Sequence, residues 1–148
     1  MTTDELATTA TALVAPGKGI LAADESSGTI EKRFKSIEVE STEERRRAYR
    51  ELLFTTEGAA TYISGVILYE ETLRQRAADG TPLPEVLSSQ GIIPGIKVDK
   101  GTTGLAGFPG EKITEGLDGV DVRLVTYHDL GARFTKWRAV ITIGDHIP

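Results

Sequence analysis

Four short apolar runs, each followed by a stretch with helical spacing, set the strongest limit on how this chain can fold. The runs are "GILAAD", "YISGVILYE", "IIPGIKV" and "FTKWRAVITI". Between them, "TIEKRFKSI" places Ile30, Phe34 and Ile37 on one helical face, and "STEERRRAYRELLFTT" reads as a longer helix with capping-box spacing at Ser41 and Glu44. "ETLRQRAADG" reads as a helix with Gly80 as its C-cap, and Leu117, Leu124 and Tyr127 outline another that ends near Gly131. Ahead of the first run, "TTDELATTATALVAPG" predicts a helix closed by Pro16-Gly17. "TPLPEVLSSQG" reads as a Pro-marked connection with room for one helical turn, and the Gly-rich 101–119 as a long loop leading into a helix. Strands alternating with helices at this spacing predict βα units and a parallel sheet, with strands near residues 19–24, 63–69, 93–98 and 134–142. Crossovers between such strands are right-handed in nearly every known case. Periodicity alone leaves an open sheet and a closed barrel equally available.

Composition narrows the function classes. The 148 residues suit one domain with a real core, and 39% hydrophobic with 26% charged residues is a globular balance. No apolar run approaches the ~20 residues a membrane helix needs. "TALVAPGKGILAADES" is broken by Pro16, glycines and Lys18, and lacks the basic leader of a signal segment. The absence of cysteine excludes disulfides and thiolate metal sites, and fits a reducing cytosol. A net charge of −5 argues against a nucleic-acid partner while leaving room for a local phosphate pocket. "APGKG" lacks P-loop spacing, and His128 and His146 are isolated and make no ligand pair.

Polar groups gather at the strand ends: Asp24, Glu70, Lys97 with Asp99, and Lys136 with Arg138. Residues two apart on a strand share a face, so Lys97 points with Asp99 and Lys136 with Arg138. Trp137, between the last two, then faces the helices. Burying such charges is costly unless they are paired or used. Two readings stand: internal ion pairs, Lys97 with Asp99 or Asp24 with Lys136, or the floor and wall of a site at the C-terminal strand ends, where a (β/α) barrel keeps its catalytic groups.

The segments "GILAADESSGTIEKR", "STEERRRAYRELL", "GVILYEETL", "GIKVDKG", "EGLDG" and "FTKWRAV" closely resemble class I fructose-1,6-bisphosphate aldolase, in order and spacing, over nearly all of the chain. The resemblance implies a (β/α)8 TIM barrel, with this α/β chain covering about its first half as four parallel strands with flanking helices. It implies reversible Schiff-base cleavage of fructose 1,6-bisphosphate to dihydroxyacetone phosphate and glyceraldehyde 3-phosphate, in the cytoplasm, without metal or cofactor, by a homotetramer when full length. Such chemistry needs a lysine imine as electron sink, acid–base groups and cationic phosphate sites.

By the same resemblance, Asp24 is the strand-one aspartate that positions or transfers protons. Lys136 is the strand-four lysine beside the imine-forming amine, which a neighbouring cation would favour in its neutral form. Lys97 is similar to a lysine at the substrate and its distal phosphate, Ser26 and Thr29 to the loop hydroxyls there, and Arg138 to a substrate-side arginine. Arg33 and Arg46 match positions associated with phosphate or substrate, although the "EERRR" run also fits a solvated helix face. Asp118 lies in a segment resembling a subunit contact, or else caps its own helix. The imine-forming lysine belongs to strand six and has no counterpart here. The expectation is therefore a single domain, 1–148, that is a truncated aldolase barrel and inactive alone. Another Schiff-base aldolase or transaldolase would share the barrel but not these long motifs. A non-catalytic phosphosugar-binding or subunit-binding half-barrel remnant is the alternative from a different class.

Overall fold

The computed structural model describes residues 2–145. His146 and Pro148 lie outside that range. In chain order the elements are α1 (Thr3–Leu13), β1 (Gly19–Ala23), α2 (Ser27–Lys35), α3 (Glu43–Phe54), α4 (Ala59–Tyr62), β2 (Ile63–Leu68), α5 (Glu70–Arg74), α6 (Leu83–Ser88), β3 (Ile93–Lys97), β4 (Thr102–Gly104), β5 (Lys112–Thr114), α7 (Val120–Asp129) and β6 (Phe134–Lys136). The main sheet runs β1-β2-β3-β6, parallel throughout, as sequential βα units require. These are four neighbouring parallel strands with flanking helices.

Each strand has two different faces. On the outer one, Ala23, Val66, Leu68, Ile96 and Val98 are buried against Phe54 of α3, Leu73 of α5, Leu83 and Leu87 of α6 and Tyr127 of α7. This is the core. At roughly 25 cal/mol per Å2 of apolar surface removed from water, it is the main force holding helices to sheet.

The inner face carries glycine at two central positions. Gly65 and Gly95 lie under the Phe134 ring: a Cβ on Gly95 would meet that ring at 2.3 Å, and one on Gly65 would meet Leu13 Cδ2 at 2.6 Å. Leu13 reaches this position because α1 closes the N-terminal end of the sheet, fastened where the Ser64 hydroxyl donates to the Leu13 carbonyl at 2.6 Å. Of the apolar residues in and just after α1, Leu6 and Val14 are exposed.

Several boundaries differ from those expected. The cap of α3 is Thr42, whose hydroxyl accepts from the Arg45 amide at 3.2 Å, and not Ser41, whose hydroxyl accepts from Arg46 instead. The helix α5 stops at Arg74. Residues 75–83 then fold back on themselves: Gln75 accepts from the Leu83 amide, and Ala77 donates to the Thr81 carbonyl. Gly80, at φ 89°, serves that turn rather than a helix end. Ile37 lies beyond α2 and Leu117 ahead of α7, both exposed. The Gly-rich excursion contains an antiparallel hairpin, β4 with β5, in place of a plain loop.

The fourth strand ends at Lys136 rather than near residue 142. Beyond Lys97, β3 leaves the sheet; the Val98 amide makes the last bond, to the Lys136 carbonyl at 3.1 Å. Without a neighbour a strand has no ladder. Arg138 turns instead toward the hairpin, its carbonyl accepting from the Thr114 hydroxyl at 2.8 Å.

Candidate active site

Strand register assembles the site. Ala22, Ile67, Gly95 and Phe134 are aligned across the four strands on the inner face. Two residues further along each chain, the same face carries Asp24, Tyr69, Lys97 and Lys136, and Lys97 is directly opposite Lys136. All four line one open cleft of about 660 Å3 at the C-terminal ends of the strands. The row one step below this one ends in Gly95 and Phe134.

Within the cleft, charges are matched in pairs. The Lys136 ammonium donates to Asp24 Oδ2 at 2.8 Å. Asp24 is buried, and the ion pair compensates for its lost hydration. The Lys97 ammonium donates to Asp99 Oδ1 at 2.6 Å and to the Asp99 carbonyl at 2.9 Å. Burial pushes the Asp99 carboxyl up, but the hydrogen bond and charge of Lys97, with help from the Gly101 amide and Lys136, hold it below the ordinary aspartate range. Both ion pairings anticipated from sequence exist, and both face the cleft. Pairing and site are one arrangement.

The β1–α2 connection supplies hydroxyls. Ser26 precedes the first turn of α2, and its Oγ lies 3.1 Å from Thr29 Oγ1. Both line the cleft, as does Arg138 on the far side. The cleft thus offers ammonium, guanidinium and hydroxyl groups around a carboxylate–ammonium pair, a donor set suited to phosphate oxygens and proton transfer.

Arg33 and Arg46 are not among its lining residues. Arg33 pairs with one oxygen of Glu25, whose other oxygen binds the buried Arg50. Arg46 grips Glu71 through two bonds, at 2.9 and 2.6 Å, and also donates to the Ser41 carbonyl at 2.8 Å. Asp118 is exposed, and the N-cap of α7 is the left-handed Gly119, without a side-chain cap. His128 is in the last turn of α7, 3.8 Å from Asp129. Among the described residues no group of three or more His, Asp or Glu side chains could hold a metal ion.

Tyr69, Arg123 and Tyr127, which no charge at a strand end marks in the sequence, also line the cleft. Tyr69 was recoverable from parity, being two residues beyond Ile67. Arg123 was not: it reaches the cleft from α7, donating to the Val98 carbonyl at 3.1 Å and to that of Gly116.

The family model for class-I fructose-bisphosphate aldolase matches residues 5–148. This chain belongs to the class-I fructose-bisphosphate aldolase family. It is 62% identical over 148 residues to a probable fructose-bisphosphate aldolase class 1 of Xanthomonas axonopodis pv. citri, covering all of this chain and 44% of that protein. It is 60% identical over 145 residues to the cytosolic fructose-bisphosphate aldolase 6 of Arabidopsis thaliana, covering 98% of this chain and 40% of that one. A solved aldolase of Plasmodium falciparum, in complex with TRAP and a small-molecule inhibitor, superposes with a TM-score of 0.92 at 54% identity over 95% of this chain and 41% of that one. The chain therefore spans less than half the length of these aldolases.

The aldolase match fits the sheet and the cleft together. The half barrel and its superposition place these strands in a TIM barrel. The polar row then occupies the end of the barrel where that architecture keeps its chemistry.

Proposed function

We propose that this chain provides the β1-to-β6 half of the active site of a class I fructose-bisphosphate aldolase. That enzyme reversibly cleaves fructose 1,6-bisphosphate to dihydroxyacetone phosphate and glyceraldehyde 3-phosphate through a lysine imine, in cytoplasmic glycolysis and gluconeogenesis. The supporting observation is the inner row Asp24–Tyr69–Lys97–Lys136, with the Asp24–Lys136 pair at 2.8 Å, inside a chain matched by the family model over residues 5–148.

Each residue has a role in this proposal. Asp24 accepts and returns protons as the carbinolamine collapses and the carbon–carbon bond breaks, with Lys136 as its hydrogen-bonded partner. Lys136 also adds positive charge near the incoming amine, favouring its neutral, nucleophilic form, and stabilises the oxygen on which charge develops. Lys97, Ser26 and Thr29 receive one phosphate, and Arg138 contacts the substrate from the opposite wall. For Arg33 and Arg46 to reach substrate, their bonds to Glu25 and Glu71 must first be exchanged.

The imine lysine and the second phosphate site come from the part of the barrel outside these residues, and four copies assemble as a homotetramer. The 148-residue segment alone is inactive. The test is borohydride trapping with fructose 1,6-bisphosphate, followed by peptide mass spectrometry. The full-length protein should cleave substrate and carry one adduct on a lysine outside residues 1–148, whereas the segment alone should carry none. An adduct on Lys97 or Lys136, or a full-length protein without cleavage, rejects the proposal; the latter favours a non-catalytic phosphosugar-binding role.

A further inference from the structure

The ion pair at the end of β3 is asymmetric. The Lys97 side chain is 19% exposed and that of Asp99 only 5%. An ammonium has three N–H donors. Two are taken by Asp99, one by its Oδ1 at 2.6 Å and one by its carbonyl at 2.9 Å. Among the described residues no third acceptor is hydrogen-bonded to it, and Lys97 lines the cleft that holds Ser26 and Thr29.

Asp99 itself is anchored. On one side the Val98 amide donates to the Lys136 carbonyl at 3.1 Å, and the Val98 carbonyl accepts from Arg123 Nη1 at 3.1 Å. On the other side the Lys100 amide donates to the Glu115 carbonyl at 2.9 Å, and the Glu115 amide returns a bond to the Gly101 carbonyl at 2.9 Å. Residues 98–101 are thus stitched to β6, to α7 and to the segment after β5. A lysine stem is flexible and loses considerable rotamer entropy when ordered. A buried carboxylate on a fixed backbone removes most of that freedom before a ligand arrives.

Asp99 is also an expensive residue to bury. Among the described residues nothing hydrogen-bonds its buried Oδ2. Leaving a buried charged acceptor unsatisfied is unfavourable, so an ordinary surface ion pair does not explain its retention at this place.

We infer that Asp99 is a positioning residue for Lys97, holding the ammonium by two of its three N–H groups so that the third is turned into the cleft toward an anionic ligand group. The inference rests on the aldolase reading for the identity of that group, a sugar phosphate, and on this chain's own geometry for the rest. Asp99 does not touch the reacting atoms. It acts through Lys97.

A double-mutant cycle in the full-length protein tests this, using Asp99→Ala, Asp99→Asn, Lys97→Ala and the Asp99→Ala/Lys97→Ala pair. Losing a charge-assisted hydrogen bond at this site corresponds to a rise of about 10- to 100-fold in KM for fructose 1,6-bisphosphate with Asp99→Ala. The change in kcat should be smaller. Asp99→Asn keeps an oxygen acceptor and loses the charge, so it should fall between, at about 3- to 10-fold. With Lys97→Ala already present, removing Asp99 should add almost nothing, because the effect passes through the lysine. A structural role would instead give additive losses. Additivity, or a wild-type KM in Asp99→Ala, overturns the inference.

If Asp99→Ala does not fold, the volume-matched Asp99→Asn carries the cycle by the same criterion. If the wild type proves inactive, the aldolase reading fails separately. The cycle is then read on the Kd for inorganic phosphate by calorimetry, where equal affinities of the wild type and Asp99→Asn overturn the positioning role.

Discussion

On the outer face of the sheet, Val66, Leu68, Ile96 and Val98 pack in one apolar cluster with Phe54, Leu73, Leu83 and Leu87. On the inner face, two glycines lie beneath one aromatic ring, and the next row upward is aspartate, tyrosine and two lysines. The outer face gains stability from many interchangeable contacts. The inner face depends on a few positions that cannot move without dragging a functional group along. Stability and chemistry are thus carried by alternate residues of the same strands, and substitutions should separate them.

The largest separation is expected at Lys136. It is half-buried in the cleft, bonded to Asp24, and contributes nothing to the outer core. In the full-length protein, Lys136→Met removes the charge at nearly constant volume. Turnover of fructose 1,6-bisphosphate should fall by about 100- to 10,000-fold, the range expected for loss of an acid–base or electrostatic partner. The far-ultraviolet circular dichroism and the melting temperature should stay near wild type. A melting temperature that collapses with activity would show that the two faces are not separable at this position.

The next comparison sets Phe54 against Gly95. Phe54 is 1% exposed in the outer cluster, so Phe54→Ala should cost about 3–5 kcal/mol of stability while the surviving folded protein keeps its KM. Gly95→Ala forces a methyl group into the Phe134 ring and should cost about 1–3 kcal/mol. Because Lys136 follows Phe134 by two residues, the displaced ring should also lower turnover. Chemical denaturation with kinetics on the same samples decides between these outcomes. If Gly95→Ala lost stability alone, the Phe134 ring would not position the row above it.

The same contrast explains what could be read from sequence. The outer face was legible because periodicity and β-branched content survive any reasonable error in strand ends. Asp24, Lys97 and Lys136 were legible because charge at the end of an apolar run is conspicuous. Tyr69 looked like one more strand residue, although counting by twos from Ile67 puts it in the same row.

Partner choice was not legible. Arg33 meets Glu25 eight residues before it, and Arg46 meets Glu71 twenty-five residues after it. The first depends on how the β1–α2 loop turns back on its own helix, the second on how α3 meets α5. The β4–β5 hairpin escaped for another reason: each strand is three residues long and exists only because the other does. Gly80 carried a correct local signal, a positive φ, whose use changed when the helix before it ended early.

The smallest predicted effect tests whether the outer layer can be weakened without reaching the cleft at all. Thr42 caps α3, the helix that delivers Phe54 to the core, through a single bond from the Arg45 amide at 3.2 Å. Thr42→Ala leaves that amide to water and should cost about 1 kcal/mol. Ser41 looked like the cap by spacing, yet its hydroxyl only accepts from Arg46 at 3.3 Å, and Arg46 keeps two bonds to Glu71 without it. Ser41→Ala should therefore stay within about 0.5 kcal/mol of wild type. Urea titration of both variants in the full-length protein, with kcat and KM measured alongside, reads both quantities. Equal losses would return the cap to Ser41. A change in KM with Thr42→Ala would mean that α3, through Arg46 or Arg50, communicates with the cleft, and that the outer face is less independent than its packing indicates.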